Sequence, residues 1–155
     1  MSAWVKTSSS NSGATMLGIY NISSTPNAVF MIMYQDSTNY GFTFRDSNGV
    51  TSSGQFNSSS IVDSTWHLVT IVVDRSTNHQ YGYLDGVLTV TSSSTFTGSF
   101  TVNSLPFIIG ADFGISSYTD YYNGAVEDAR LYNRALTASD VIELYNFRHG
   151  STTLQ

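Results

Sequence analysis

The stretch "STWHLVTIVVDRSTNHQYGYLDGVL", residues 64–88, contains the strongest β-strand signal in the chain. Its first half is an apolar, β-branched run that has the length of a strand. Its second half reaches Asp85 and Gly86, which stand between two apolar runs. Such an Asp-Gly pair predicts a type I′ hairpin turn, because both central positions of that turn need a positive φ. This stretch therefore predicts paired antiparallel strands.

The remaining sequence repeats this pattern of short apolar or alternating runs separated by turn residues. The runs are "SAWVK", "TMLGIYNI", "AVFMIMY", "YGFTFR", "VTSSGQF", "LPFIIGA" and "AVEDARLY", with turn signals such as "DSNG" between them. The single helical signal comes last. Thr137 and Asp140 form a capping-box pattern, and Val141, Leu144 and Tyr145 follow on one helical face. Many strands and one short C-terminal helix predict an all-β fold, an antiparallel β-sandwich or jelly roll.

The composition limits the classes of function. The chain has 155 residues, the size of one domain. Charged residues make up 11% of it, against about 25% in an average domain, and the net charge is −5. The six Lys and Arg residues are scattered, which argues against a nucleic-acid partner. The chain has no apolar run of about 18 residues that would predict membrane insertion, and it has no cysteine for disulfide or thiolate chemistry.

Three blocks of the sequence resemble the laminin G-like jelly rolls of the concanavalin A-like lectin/glucanase superfamily. The first is "SAWVK", with Trp4 at the position of the family's buried tryptophan. The second is the stretch 64–88, with Trp66 and the Asp-Gly turn at the typical spacing. The third is "FIIGA" followed by "YNGAVEDARLYNRALTASDVIELY". The resemblance implies one concanavalin A-like sandwich over residues 1–150 that lacks the family's first one or two strands. The residues "STTLQ" at 151–155 indicate a flexible tail.

The resemblance carries two further expectations. Family members begin one or two strands before the strand of "SAWVK", so we expect an upstream segment or a neighbouring chain to cover the sheet edge. An uncovered edge would invite pairing with other strands. The family also often has an aspartate where Glu127 stands, and that position can contribute to a calcium site.

The adjacent carboxylates Glu127 and Asp128 raise the question of catalysis. Glycoside hydrolysis needs two carboxyl groups roughly 5–9 Å apart. Relatives that hydrolyse glucans place theirs on alternate residues of one strand, a motif absent here, and neighbours on a regular strand point to opposite faces. The inward positions, however, are expected at Val126, Ala129 and Leu131. Their uneven spacing predicts a β-bulge at the acid pair.

Such a bulge would turn both carboxylates toward one rim of the sandwich. There, one of them could pair with Arg130, or the pair could bind a cation. Asp112 and Asp120, in the loop "ADFGISSYTDYYNG" at residues 111–124, offer further oxygen ligands of the kind that Ca²⁺ takes. The candidate calcium ligands are therefore Asp112, Asp120, Glu127 and Asp128, and a purely structural role of the acid pair stays open beside this one.

The same loop offers groups that suit a sugar. Phe113, Tyr118 and Tyr121 can stack on the apolar face of a sugar ring, while Asp120 and Asn123 bond its hydroxyls. The alternative is a long loop that is folded on itself by its aromatic side chains. Tyr122 stands where the family packs an aromatic residue, so the resemblance implies a core position for it.

The remaining aromatic and aliphatic strand residues are assigned to packing rather than to binding. His67, which follows a scaffold tryptophan, is interpreted as a packed or rim imidazole because no nucleophile or ligand spacing accompanies it. The predicted core contains Trp4, Phe30, Ile32, Phe42, Trp66, Val72, Tyr83, Phe107 and Ile109.

These observations favour a non-catalytic carbohydrate-binding or adhesion module of a larger secreted, cell-surface or phage-type protein. We accordingly expect an extracellular, cell-surface or virion-associated location and a glycan or protein surface as partner. The competing hypothesis is a structural or assembly module that makes protein–protein contacts. A glycoside hydrolase comes third, because the paired-carboxylate motif is missing.

Overall fold

The computed structural model describes residues 1–10, 13–20, 30–35, 39–57, 61–100, 106–113 and 117–149. Two antiparallel five-stranded sheets face each other, which confirms the predicted β-sandwich. Sheet A contains, in spatial order, β12 (Ala125–Arg130), β1 (Ser2–Lys6), β6 (His67–Asp74), β7 (His79–Leu84) and β8 (Val87–Ser93). Sheet B contains β5 (Thr51–Asn57), β4 (Asn39–Arg45), β3 (Phe30–Gln35), β2 (Ala14–Tyr20) and β9 (Phe107–Ile109). A two-stranded ribbon pairs β10 (Asp112–Phe113) with β11 (Tyr118–Thr119), and helix α1 spans Ala138–His149.

Strand β6 is apolar on both faces because both faces are covered. Val69 and Ile71 belong to the core between the sheets, whereas Val72 belongs to a second cluster with Val141 of helix α1. A strand covered on both sides reads as a continuous apolar run. This explains why the sequence there shows no clear alternation.

The hairpin that follows β7 has the predicted geometry. Asp85 has a φ of 51° and Gly86 a φ of 81°, the two positive values that a type I′ turn requires. The Asp85 carboxylate also accepts a hydrogen bond from the Leu68 backbone N–H at 2.8 Å. The turn is therefore held to the start of β6, and the prediction is confirmed.

Helix α1 is capped as predicted. The Thr137 backbone N–H donates to Asp140 Oδ2 at 2.7 Å, and the Asp140 N–H donates to Thr137 Oγ1 at 3.2 Å, which is the reciprocal pattern of a capping box. Val141 is fully buried beneath the helix. The Tyr145 ring stacks on Trp4 of β1 with centroids 5.8 Å apart, which fixes the helix on the outer face of sheet A.

The predicted core is correct in its centre and wrong at one edge. Trp4, Phe42, Val72 and Tyr83 are buried. Ile109 is 52% exposed, contrary to the prediction. The reason is that β9 has only three residues and, among the described strands, pairs on one side alone, with β2.

The predicted core has four other members. Phe107 packs against the core while partly buried. Trp66 is only partly buried, and the Lys6 ammonium lies 5.8 Å from its ring centroid, so this tryptophan belongs to the surface boundary rather than to the centre. The side chains of Phe30 and Ile32 lie outside the described residues.

The β-bulge predicted in β12 is present. Trp4 pairs with Glu127 and Ser2 pairs with Arg130, so one residue of β1, Ala3, stands opposite two residues of β12, Asp128 and Ala129. Asp128 is the extra residue, and its φ is 51°.

The inward positions predicted for this segment are confirmed only in part. Val126 and Ala129 pack partly buried against the core, as predicted. Leu131 is 49% exposed, contrary to prediction, because the strand ends one residue earlier at Arg130.

Strand β1 does not form a sheet edge. It pairs with β12 on one side and with β6 on the other, so the described edges of sheet A are β12 and β8. An upstream segment or a neighbouring chain that covers an open edge would have to join one of these two strands. Its presence stays a prediction.

Candidate functional site

The loop predicted to bind sugar lies at one end of the sandwich, beside the start of β12. We call Asp112, Tyr118, Asp120, Tyr121 and Asn123 the rim. Part of the loop forms the β10–β11 ribbon, in which Asp112 pairs with Thr119. The ribbon holds Tyr118 on a short piece of regular structure, and Tyr121 forms an isolated bridge with Thr15 of β2.

Backbone hydrogen bonds tie the rim to the sandwich. The Thr15 N–H of β2 donates to the Asp120 carbonyl at 2.8 Å, and the Tyr122 N–H donates to the Gly110 carbonyl at 2.9 Å. The Thr7 hydroxyl donates to the Asn123 carbonyl at 2.6 Å. Three bonds to different segments anchor residues 120–123, so the side chains of this part of the rim are pre-organised for binding.

The aromatic residues of the loop divide into buried and exposed ones. Tyr122 is buried, as the resemblance implies, and its burial raises the pKa of its phenol to about 12. Tyr118 is 50% exposed and Tyr121 is 66% exposed. Asp120, also exposed, stands between them in sequence with a φ of 51°. The side chain of Phe113 lies outside the described residues.

The candidate calcium ligands do not gather into one cluster. Within the parts of the chain that the structure describes, no group of three His, Cys, Asp or Glu side chains could hold a metal ion. Asp112 and Asp120 belong to the rim, while Glu127 and Asp128 lie on β12. Calcium at the rim stays a prediction, and backbone carbonyls would have to supply most of the ligands.

The Asp128 carboxylate has a structural partner. Arg130 donates to it from Nε at 2.8 Å and from Nη2 at 2.7 Å, the bidentate geometry of a strong guanidinium–carboxylate pair. This pair raises the pKa of Arg130 above its ordinary value. Of the two roles considered for Asp128, the contacts of the structure support the ion pair.

A second polar surface, the outer face of sheet B, was not predicted. We call Tyr34, Thr43, Arg45, Thr51, Ser53 and Gln55 the outer face. The strand register places Gly41 between Tyr34 and Gln55, Thr43 beside Ser53, and Arg45 beside Thr51. The signal that could have revealed it is the alternation of β4, in which an aromatic residue stands at every second position, 40, 42 and 44.

His67 lies in a polar cluster at the same end of the sandwich as the rim. Its Nδ1 donates to Asp85 Oδ2 at 2.7 Å, and its Nε2 lies 3.2 Å from Asp63 Oδ1 and 3.0 Å from Thr65 Oγ1. Burial lowers the pKa of His67, but its hydrogen bonds to Asp85 and Asp63 and their charges outweigh burial, so the pKa is raised. A packed or rim imidazole was predicted, and the contacts with Asp85 and Asp63 show that His67 links the β7–β8 turn to the segment before β6.

A cavity of about 660 Å³ opens at the opposite end of the sandwich. Its walls include Ile19, Phe44, Ile71, Phe100 and Leu136. It is therefore mainly apolar and lies far along the strands from the rim.

The comparisons with known proteins agree with this architecture. A family model, Laminin_G_3 of the concanavalin A-like lectin/glucanase superfamily, matches residues 1–142. The chain belongs to this family. A search of curated protein sequences finds no match. The resemblance read from Trp4, from the stretch 64–88 and from the closing strand and helix is thereby confirmed.

Solved structures of the same fold include carbohydrate-binding modules. The Ruminococcus gnavus IT-sialidase CBM40, bound to alpha2,3 sialyllactose, superposes with a TM-score of 0.76 at 15% identity over 93% of this chain and 80% of its own. The receptor binding domain of botulinum neurotoxin D gives a TM-score of 0.67 at 19% identity over 95% of this chain. This chain spans 36% of that toxin structure. At such identities the likeness shows the fold.

The described helix is also too short to cross a bilayer. Within the residues that the structure describes, no helix is long and apolar enough to span a membrane.

Proposed function

We propose that this protein is a non-catalytic glycan-binding module and that the rim is its binding site. The observation that carries the proposal is the pair of exposed tyrosines, Tyr118 and Tyr121, on either side of Asp120 in a loop anchored at three points. Exposed aromatic faces can stack on the apolar face of a sugar, and neighbouring carboxylate and amide groups can bond its hydroxyls. The sialyllactose-bound module of the same fold supports this class of ligand.

The proposal includes the absence of catalysis. Asp128 is engaged by Arg130, and Glu127 lies on the same side of sheet A as Trp4. A glycosidase needs two opposed carboxyl groups with an open position between them for the scissile bond. The carboxylates on β12 instead have a structural role beside the pairing of β12 with β1.

We further propose that the module belongs to a larger secreted, cell-surface or virion-associated protein. A module whose rim binds glycans would meet its ligand outside the cell or on a host surface. Expression of tagged full-length protein, followed by fractionation, tests this location. Recovery of the protein only in the soluble interior of the producing cell would contradict it.

A glycan array tests the binding proposal. The wild-type chain, a Tyr118→Ala/Tyr121→Ala variant and a Thr91→Ala control on exposed strand β8 are applied to the same array. We expect the wild type and the control to bind the same glycans, and the double variant to lose about ten-fold or more, since two aromatic contacts of about 0.5–1.5 kcal/mol each are removed. Equal binding by all three proteins would show that the rim is not the binding site.

An assembly module is the second candidate function, and two observations favour it. Val87 and Leu88 of edge strand β8 are exposed, and the adjoining Gly86 lies against Ile142 of helix α1, which is exposed as well. The second observation is the apolar cavity at the end of the sandwich opposite the rim. Exposed apolar residues that adjoin one another can mark a protein-binding surface. Light scattering of the wild type and of Leu88→Asp discriminates: an assembly that the variant dissolves supports this function, and a monomer at every concentration contradicts it.

A further inference from the structure

The backbone of the rim fixes the position from which the Asp120 side chain leaves the main chain. Asp120 has a φ of 51°, and its carbonyl accepts the Thr15 N–H at 2.8 Å. The left-handed region is uncommon for residues other than glycine and persists where the surroundings hold it. The sandwich therefore determines where this carboxylate stands.

The oxygens of the Asp120 carboxylate are open to a ligand. In the described part of the chain they accept one hydrogen bond, a long one of 3.4 Å from the Thr119 hydroxyl to Oδ2. A Cβ atom at Gly13 would lie 3.6 Å from Oδ1, so the glycine leaves room beside that oxygen. A carboxylate offers about four acceptor positions, and most of those of Asp120 can serve a ligand.

The charge of Asp120 is not neutralised by a basic side chain within the described residues. The arginines that form ion pairs there, Arg130 and Arg134, pair with other carboxylates. Lys6, at the end of β1 beside the rim, places its ammonium 5.8 Å from the Trp66 ring centroid. The rim is therefore an anionic surface on a chain of net charge −5.

Exposed aromatic faces next to a carboxylate suit a cation. The face of a tyrosine ring attracts a cation through its quadrupole, and a carboxylate forms charge-assisted hydrogen bonds with an ammonium group. Tyr118 and Tyr121, on either side of Asp120 in sequence, supply such faces. An acidic group at the same place would be repelled by the like charge of Asp120.

We propose that the rim selects glycans that carry a free amino group over N-acetylated and acidic ones, and that Asp120 determines this specificity. The ammonium of an amino sugar bonds to the Asp120 carboxylate, while a sugar ring stacks on Tyr118 or Tyr121. The inference rests on the glycan-binding function proposed above and names the class of ligand for the same site.

The test uses three forms of the same oligosaccharides, which are built from glucosamine and from galactosamine. In the first form the amino groups are free. In the second they are N-acetylated, and in the third they are N-succinylated, which replaces the positive charge by a negative one. All three are titrated by biolayer interferometry at mildly acidic pH, where the free amine is protonated. Only the charge of the ligand therefore changes sign along the series.

The variants separate the local charge of the rim from the net charge of the chain. Asp120→Asn removes the rim carboxylate, and asparagine accepts a positive φ as aspartate does, so the fold should be kept; melting temperatures check this. Asp74→Asn is the control, because Asp74 lies at the opposite end of the sandwich. We expect the wild type to bind the free-amine form about three- to ten-fold more tightly than the N-acetylated form, and the succinylated form least. Asp120→Asn should lose this preference and Asp74→Asn should keep it, and added salt should reduce it in the wild type.

The outcomes separate this inference from the rim proposal. A preference that is lost in Asp120→Asn and kept in Asp74→Asn supports the inference. Equal affinity of the wild type for the free-amine and N-acetylated forms overturns it, as does a preference that both variants keep or both lose. The rim proposal then stands if the Tyr118→Ala/Tyr121→Ala variant loses the glycans that the array selects. A wild type that binds none of the three forms also overturns the inference, and only the absence of binding to every array glycan contradicts the proposed function itself.

Discussion

Asp128 and Arg130 form a bidentate ion pair across the β-bulge of β12, with N–O distances of 2.8 and 2.7 Å. The extra residue of the bulge is Asp128 itself, at a φ of 51°. In the sequence, Asp128 and Glu127 suggested an acid pair. In the fold, the Asp128 carboxylate has a structural role as the partner of Arg130. Both side chains of the ion pair are about 40% exposed, so its stabilisation is modest.

The positive φ of Asp128 in the bulge predicts how substitutions at this residue change the stability of the fold. Asp128→Gly loses the exposed ion pair, worth at most about 1 kcal/mol, but glycine accepts a positive φ without strain. Asp128→Val loses the same pair and adds a β-branched side chain at that φ, which costs about 1–2 kcal/mol more. We expect urea unfolding to rank wild type close to Asp128→Gly, and both clearly above Asp128→Val. Equal stability of the two variants would show that the bulge does not need the positive φ.

His67 predicts a dependence of stability on pH. Its pKa in the folded protein is raised by Asp85 and Asp63 against the opposing effect of burial. The stabilisation is therefore fully present below the pKa of the unfolded chain, near 6.5, and is lost as pH rises through the folded pKa. The difference in unfolding free energy between wild type and His67→Gln should be larger at about pH 5.5 than at about pH 8.5. A difference independent of pH contradicts the two-carboxylate arrangement.

Asp46, at the end of the sandwich opposite the rim, is expected to contribute strongly to stability. Its buried carboxylate accepts hydrogen bonds from the N–H groups of Asn48 at 3.0 Å, Val50 at 2.9 Å and Gly98 at 2.6 Å. Asp46→Ala leaves three donors without this acceptor, and we expect a loss of about 2–4 kcal/mol in urea unfolding. The matched control is Asp74→Ala, since Asp74 caps a similar turn at the surface through Ser76. Equal effects of the two substitutions would contradict the role assigned to Asp46.

The same carboxylate predicts sensitivity to acid. Burial raises the pKa of Asp46, but the backbone N–H donors of Gly98, Val50 and Asn48 outweigh burial and hold the pKa below its ordinary value. Its stabilisation is present above the pKa of the unfolded chain and is lost as pH falls through the folded pKa. The destabilisation caused by Asp46→Ala should therefore shrink in acid unfolding experiments below about pH 4.

The helix makes the remaining stability prediction. Tyr145 stacks on the buried Trp4 ring with an interplanar angle of 22°. Tyr145→Ala removes the stack and uncovers the tryptophan, which should cost about 2 kcal/mol and shift the tryptophan fluorescence to longer wavelength. Tyr145→Phe keeps the ring and should resemble the wild type. An unchanged emission spectrum in Tyr145→Ala would mean that Trp4 is shielded by other groups.

The sequence predicted those parts of the fold that are determined by residues close together in the chain. The Asp85-Gly86 turn follows from the φ values that these two residues accept, and the cap of α1 follows from Thr137 and Asp140, three residues apart. Even the bulge in β12 could be predicted, since the phase of inward residues shifts at Asp128. The burial of Tyr122, next to the rim in sequence, followed from the family resemblance.

What could not be predicted depends on contacts between distant segments. Asp46 was read as a turn residue, but its bond to Gly98 crosses about fifty positions of sequence. Tyr34 looked like an ordinary strand residue until the register of β3 and β4 placed it over Gly41. Ile109 was assigned to the core because no local pattern tells an edge strand from a central one.

The most direct test of glycan binding at the rim is a calorimetric titration of the wild-type chain and the Tyr118→Ala/Tyr121→Ala variant with the glycan that the array selects. We predict saturable binding by the wild type, binding weakened about ten-fold or more in the variant, and recovery of the glycan intact after prolonged incubation. A wild type that shows no heat of binding with any glycan at millimolar concentration, or that cleaves the glycan, would contradict the account of a non-catalytic glycan-binding module.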